Sequence, residues 1–208
     1  MTERLGLIVT DASPLITLGA AGALDCLLLP GVPVIIPDMV YTEVTQDMAR
    51  LGAGDVVTWI QAHDRQVQIA ATEVNAEYEA LRVINPNTRF QDRGERAALE
   101  VLSYKTAADP GLQALLLFED SDIRRRSFVR LLPERVTAIS TGDFLQELEA
   151  AGRIQSADHI LDEAAARGRN VGEQRQPAVS EPARAILRDQ LTRHGTQPEQ
   201  EPEPNRSR

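Results

Sequence analysis

Short hydrophobic runs alternate along this chain with longer amphipathic segments. The runs are rich in β-branched residues or leucine and are bounded by Gly, Pro or acidic residues, which is typical of buried strands. They lie at residues 6–10 (GLIVT), 33–37 (PVIIP), 66–70 (QVQIA), 114–118 (ALLLF) and 136–140 (VTAIS). Strands that alternate with helices predict an α/β fold, namely a three-layer α/β/α sandwich around a central, mainly parallel sheet.

The segments between the runs carry apolar residues three or four positions apart, which predicts helices. The predicted helices span residues 14–29, 38–48, 55–64, 72–84, 95–105, 121–132 and 143–152. Turn signals such as Pro30-Gly31 and Asp109-Pro110-Gly111 separate them from the strands.

The C-terminal part of the chain has a different composition. Residues 171–208 are dominated by Gln, Pro, Glu and Arg, so we expect a polar tail that is disordered or partly helical after a domain at 1–170. A short helix is possible at 181–193, where four apolar residues share one face. These residues are Ala183, Ile186, Leu187 and Leu191.

The overall composition excludes several classes of protein. The 208 residues, 42% of them hydrophobic, suffice for one good core. No apolar run is long enough for a membrane helix and no secretion signal is apparent, so we expect a cytoplasmic protein without a membrane partner. A single cysteine, Cys26, excludes an internal disulfide framework. The net charge of −9 argues against a general nucleic-acid binder, unless the acids converge on cations.

Two aspartates lie at the ends of predicted buried strands. Asp11 follows the first strand, and Asp120 follows ALLLF-Glu119. Because the carboxyl ends of parallel strands meet at one edge of a sheet, we expect these carboxylates to share a crevice. Glu43 and Glu95 lie in or at the start of helices that follow turns, and they can project to the same edge. Taken singly, either glutamate is more often a helix cap or a solvated charge.

Four clustered carboxylates repel one another unless cations neutralise them, and hard oxygen ligands suit Mg²⁺ or Mn²⁺. Such a site can hydrolyse phosphodiesters with metal-activated water. On this hypothesis Asp11, Glu95 and Asp120 are ligands and Asp122 is an auxiliary ligand, while Glu43 binds through water or orients the attacking water.

Three consecutive arginines follow the last acid on the predicted 121–132 helix. Arg124, Arg125 and Arg126 can grip RNA phosphates through bidentate hydrogen bonds. They fit a solvated helix face equally well, because three successive residues point in different directions around a helix.

The order and spacing of five segments resemble those of PIN-domain proteins, and most of all the bacterial branch that includes VapC-type toxins. The segments are LIVTDASPLITLG, PVIIPDMVYTEV, GERAALEVL, LLLFEDSDIRRR and STGDFLQELEAAGRI. The resemblance covers about residues 5–165. Phe118 departs from it, since many relatives carry threonine or serine there, and the tail lies outside it.

The resemblance implies a Mg²⁺- or Mn²⁺-dependent endoribonuclease that is paired with an antitoxin and forms a homodimer. The family's acidic quartet falls on Asp11, Glu43, Glu95 and Asp120. Ser13 matches the small hydroxyl residue after the first acid, and Thr141 matches a recurrent polar position near the site. The nuclease domain is then expected at 1–170.

Other functions are compatible with the same residues. One is a housekeeping PIN nuclease without an antitoxin, and another is a non-catalytic PIN-like binding module. A phosphatase-like enzyme with Asp11 as covalent nucleophile fits less well, because that chemistry wants a second aspartate close behind, where this chain has Ala12 and Ser13.

Overall fold

A parallel sheet forms the centre of the computed structural model, which describes residues 4–88, 93–119, 131–175 and 181–195. The described residues contain five strands, and their order across the sheet is β3-β2-β1-β4-β5. All four neighbouring pairs are parallel. The strands are β1 (Arg4–Thr10), β2 (Val34–Pro37), β3 (Val67–Ala70), β4 (Leu112–Phe118) and β5 (Val136–Ser140).

Eight α-helices occur in the described residues. They are α1 (Ala12–Ala21), α2 (Asp38–Thr45), α3 (Ala53–Ala62), α4 (Glu73–Ile84), α5 (Arg93–Ala108), α6 (Thr141–Ala150), α7 (Ala157–Ala166) and α8 (Glu181–Gly195). Short 3₁₀ helices cover Leu24–Leu28 and Gly172–Arg175. Over the part of the chain described here, no helix has the length and apolarity needed to cross a membrane.

Both faces of the sheet are covered, which confirms the predicted three-layer α/β/α fold. Successive residues of β1 point to opposite faces: Ile8 belongs to one core, and Leu7 and Val9 on either side of it belong to the other. The larger core contains apolar residues of α1, α3, α6, α7 and α8, whereas α5 covers the opposite face. Strands buried on both sides explain why the runs read as continuously hydrophobic.

One predicted helix is partly wrong, and most of another lies outside the described residues. The helix predicted at 14–29 is wrong in its second half, because α1 ends at Ala21 and Gly22 caps it in the left-handed region with φ 67°. A separate 3₁₀ turn follows. Residues 121–130, most of the predicted basic helix, lie outside the described residues.

Helix α7 was not among the predicted helices. The side chain of Ser156 caps it by accepting a hydrogen bond from the backbone N–H of His159 at 3.2 Å. A serine directly before the first helical residue is the N-cap signal that can indicate such a helix in a sequence.

Helix α8 contains the 181–193 helix that the apolar stripe suggested. Ala183, Leu187 and Leu191 are at most 1% exposed, and the helix packs against α6, β1 and β5. Its composition favours disorder, yet the three apolar side chains complete the larger core. Where the domain ends along 171–208 stays a prediction.

Two buried carboxylates on α6 face arginines of α8. Glu147, which is 1% exposed, accepts hydrogen bonds from Nε of Arg184 at 2.6 Å and from Nε of Arg188 at 2.9 Å. Nη1 of Arg184 lies 3.5 Å from Oδ1 of Asp143. Burial raises the pKa of Glu147, but the hydrogen bonds and charges of the two arginines outweigh it and hold this pKa below its ordinary value.

Candidate active site

The carboxyl ends of the strands place several polar residues along one edge of the sheet. Asp11 is the N-cap residue of α1 directly after β1, and its backbone N–H donates to the carbonyl of Leu117 in β4 at 3.1 Å. Glu119 follows β4, and Thr141 follows β5. In the pairing of β4 with β5, Phe118 lies opposite Ser140, so Glu119 and Thr141 come at corresponding positions of neighbouring strands.

Asp11 and Glu43 converge on the same point, at the start of α5. A methyl group at Gly94 would lie 3.2 Å from Oδ1 of Asp11 and 3.4 Å from Oε2 of Glu43. The two oxygens are therefore no farther apart than the sum of these distances. Glu43 reaches this place from the second turn of α2, after β2, so three elements distant in sequence bring the pair together.

The electrostatic environment of Glu43 favours the binding of a cation. Burial raises the pKa of Glu43 above its ordinary value, and the positive charge of Arg50 opposes this only in part. At neutral pH the protein thus holds a partly desolvated acid beside the carboxyl group of Asp11. A cation that binds between the two would relieve this cost.

Gly94 leaves room where a side chain would crowd both carboxylates. We expect Gly94→Ala to lower the rate of any reaction at this site by roughly 10–100-fold, because the new methyl group must displace Asp11 or Glu43 by a few tenths of an ångström. The matched control is Gly54→Ala, the second residue of α3 as Gly94 is of α5, where an added methyl has no neighbour within 4 Å.

Kinetics of both variants and their thermal unfolding check this prediction. Gly54→Ala should keep full activity and gain up to about 1 kcal/mol of stability from helix propensity. Gly94→Ala should stay folded and lose activity. Equal activity of the two variants would contradict the proposed convergence.

Of the remaining predicted site residues, some are described by the structure and others are not. Glu95 is half-buried in the first turn of α5, next to Gly94. Asp120, Asp122 and the three arginines lie outside the described residues. Those arginines are Arg124, Arg125 and Arg126. Within residues 4–88, 93–119, 131–175 and 181–195, no three His, Cys, Asp or Glu side chains form a group able to hold a metal ion.

Sequence reasoning missed Glu119 as part of this edge. Its side chain is 6% exposed, and its Oε2 accepts hydrogen bonds from Oγ1 of Thr17 at 2.8 Å and from Nη2 of Arg169 at 3.1 Å. Burial raises the pKa of Glu119, while the hydrogen bond from Thr17, the nearby hydroxyl of Thr141 and the charge of Arg169 oppose the shift. Its position directly after a buried strand was the available signal, whereas nothing in the sequence pointed to Arg169.

The two supporting residues lie at the same edge. Thr141 is fully buried at the start of α6, and its influence on the pKa of Glu119 shows that the two are neighbours. Ser13 is half-buried in the first turn of α1, and its carbonyl accepts from Nη2 of Arg169 at 3.3 Å. The N-cap of α6 is Ser140, whose side chain accepts from the N–H of Asp143 at 3.1 Å.

A sequence comparison decides the family. The profile of a family described as a PIN domain matches residues 7–175, which contain β2 to β5, the second half of β1 and the convergent carboxylates. The chain belongs to the PIN-domain family. PIN domains are generally nucleases, so this PIN domain is expected to hydrolyse nucleic acid. No curated protein matches the chain.

The side chains that converge in this PIN domain are of the chemical type that binds divalent cations. The convergent groups are carboxylates, which are the hard oxygen donors that Mg²⁺ and Mn²⁺ prefer. Gly94 has no side chain to fill the space beside them, and burial raises the pKa of Glu43, an effect that a bound cation would oppose. Asp11 and Glu43 are two members of such a donor set that the structure brings together.

Proposed function

We propose that this PIN domain is a Mg²⁺- or Mn²⁺-dependent endoribonuclease that cleaves RNA phosphodiesters with an activated water molecule. The observation that supports it is the convergence of Asp11 and Glu43 at Gly94, on the carboxyl edge of the sheet. Ligand sites of parallel sheets lie at this edge, and PIN domains are generally nucleases, so phosphodiester hydrolysis is the reaction that best accounts for carboxylates here.

Each acid has a proposed role. Asp11, Glu95 and Asp120 would hold the cation, with Asp122 as an auxiliary ligand, and Glu43 would bind it through a water molecule or orient the attacking water. A bound divalent ion would stabilise the negative charge on the phosphate oxygens and lower the pKa of the attacking water.

The residues around the acids have proposed roles as well. Ser13 and Thr141 would support the ligands through the backbone and hydroxyl groups at the strand ends. RNA phosphates would be bound by three arginines. These are Arg124, Arg125 and Arg126.

The direct test is cleavage of RNA by the purified chain in Mn²⁺, in Mg²⁺ and in EDTA. The wild type is expected to cleave internally when either ion is present and to stop in EDTA. Asp11→Asn, purified in the same way, should show no cleavage above background, which also excludes a contaminating nuclease. Equal cleavage by both chains, or by neither, would refute the proposed site.

Asp38→Asn provides the matched control, because Asp38 is also an acid directly after a strand at this edge. Protein donors already surround its carboxylate: Oγ1 of Thr72 at 2.6 Å, N–H of Thr72 at 3.2 Å and Nδ2 of Asn75 at 3.1 Å. This acid serves the packing of α4, so Asp38→Asn should lose stability and keep the activity of its folded fraction.

We further propose that the nuclease is the toxin of a type II toxin–antitoxin pair, acting in the cytoplasm as a homodimer that a cognate antitoxin inhibits. The likeness of its motifs to VapC-type toxins supports this, and a housekeeping PIN nuclease is the alternative. Induced expression should arrest growth, whereas Asp11→Asn should not. Unimpaired growth and intact RNA on expression of the wild type alone would favour the housekeeping nuclease.

A further inference from the structure

Arg169 joins three places around the proposed site. Its Nη2 donates to Oε2 of Glu119 at 3.1 Å and to the carbonyl of Ser13 at 3.3 Å, while its Nε donates to Oγ1 of Thr17 at 3.0 Å. The hydroxyl of Thr17 itself donates to Oε2 of Glu119 at 2.8 Å. One guanidinium thereby ties the first two turns of α1, which begins after Asp11, to the end of β4.

The backbone fixes where Arg169 stands. Helix α7 ends at Ala166, and two residues later Gly168 is in the left-handed region at φ 92°; the N–H of Arg169 then donates back to the carbonyl of Ala164 at 3.0 Å. The side chain that follows is 19% exposed and lies across the sheet edge. A glycine at 168 thus lets the chain turn back toward the site at this point.

The next residues hold the same edge from another side. Nε2 of Gln174 donates to the backbone carbonyl of Glu119 at 3.1 Å, and Oε1 of Gln174 accepts from the N–H of Gly142 at 3.4 Å. The carbonyl of Gln174 occupies the space that a methyl group at Gly142 would need. The segment from Arg169 to Gln174 is therefore packed onto the end of β4 and the start of α6.

We propose that Arg169 is a positioning residue of this PIN domain, which holds Glu119 and the start of α1 in fixed register so that Asp11 keeps the geometry required for metal binding. The inference rests on the proposed function. Arg169 touches Ser13, Thr17 and Glu119, and acts on Asp11 only through them. A planar guanidinium can serve all three acceptors at once, which the single ammonium of lysine cannot.

The test is Arg169→Lys, examined without RNA and with it. The lysine keeps a positive charge near the buried Glu119, so the variant should fold. We expect its dissociation constant for Mn²⁺, measured by titration of the RNA-free protein, to rise about tenfold, and kcat for RNA cleavage to fall about tenfold, with KM unchanged. A residue that only stabilises the fold would lower the folded fraction and leave the Mn²⁺ affinity of folded molecules as it was.

Two further variants make the test specific. Arg153→Lys is the control, because Nη2 of Arg153 donates to the carbonyl of Leu191 at 2.9 Å, away from Asp11, and it should bind Mn²⁺ like the wild type. The double variant Arg169→Met/Glu119→Gln removes both charges, leaves no buried carboxylate unpaired and should still bind Mn²⁺ weakly.

The outcomes separate this inference from the proposed function. If the wild type binds Mn²⁺ and cleaves RNA while Arg169→Lys does both equally well, the positioning role is refuted and the nuclease stands. A folded double variant with wild-type Mn²⁺ affinity refutes it too. If the wild type neither binds Mn²⁺ nor cleaves RNA, the proposed function fails and the inference fails with it.

Discussion

Glu43→Gln is expected to lower kcat for RNA cleavage by about 10³-fold and at the same time to stabilise the metal-free chain. A cation and its ligands supply several kcal/mol of transition-state stabilisation, and about 1.4 kcal/mol corresponds to a factor of ten in rate. Glutamine keeps the shape of Glu43 and removes a carboxylate whose charged form is disfavoured by burial. We expect the free energy of unfolding in EDTA to rise by about 1 kcal/mol at neutral pH.

The gain in stability should depend on pH in a defined direction. The pKa of Glu43 is raised in the folded state by burial, so the folded chain binds this proton more tightly than the unfolded chain does. The cost of the charged group therefore grows as pH rises from the ordinary pKa through the raised one. The advantage of glutamine should be largest above that range and should vanish in acid.

Glu100→Gln is the matched control for this prediction. Glu100 is another half-buried glutamate, but both of its oxygens cap α4, since they accept from the N–H groups of Glu73 at 2.7 Å and Val74 at 3.3 Å. This variant should lose roughly 1 kcal/mol and keep its kcat. A Glu43→Gln chain that is fully active, or that is destabilised like Glu100→Gln, would show that Glu43 has a structural role.

A chain that ends at Arg175 is expected to lose its cooperative fold, although the family match also ends there. Removal of α8 exposes the core that Leu187 and Leu191 cover, and each buried leucine contributes about 1.5–3 kcal/mol. It also takes both arginines from the buried carboxylate of Glu147. These losses together approach the roughly 5–15 kcal/mol by which a typical domain is stable.

Circular dichroism and thermal unfolding check this prediction. A chain that ends at Gly195 retains every contact of α8 described above and should melt like the full-length chain. The single substitution Leu187→Ala grades the effect, with an expected loss of about 2–5 kcal/mol. If the chain ending at Arg175 melted at the temperature of the full-length chain, α8 would be a dispensable appendage.

Much of the fold could be predicted because its elements are encoded locally. Strands buried on both faces must be hydrophobic throughout, so β1, β2 and β4 are legible as short apolar runs. Helix α4 begins at Glu73, directly after its N-cap Thr72 and within one residue of the predicted start. Helix α7 and the end of α1 were missed, because single capping residues decide them and give weak signals.

The candidate site was predictable in part and for the same reason. Placing Asp11 after a strand requires only the strand assignment and the rule that parallel strands end at one edge. That Gly94 separates Asp11 from Glu43 does not follow from any local pattern, because α2 and α5 meet through packing. The network of Arg169, Thr17 and Glu119 joins residues up to 152 positions apart, so residue spacing along the sequence does not predict it.

By itself, the sequence determined the α/β class, the family resemblance and the set of acids available for chemistry. These depend on periodicity and residue order, which short-range physics translates into strands and helices. Only the tertiary structure decided which of those acids meet, that α8 belongs to the core, and that Glu119 is held by an arginine from the far end of the matched region. Such contacts depend on the free energy of packing between distant segments, which no local stretch of sequence specifies alone.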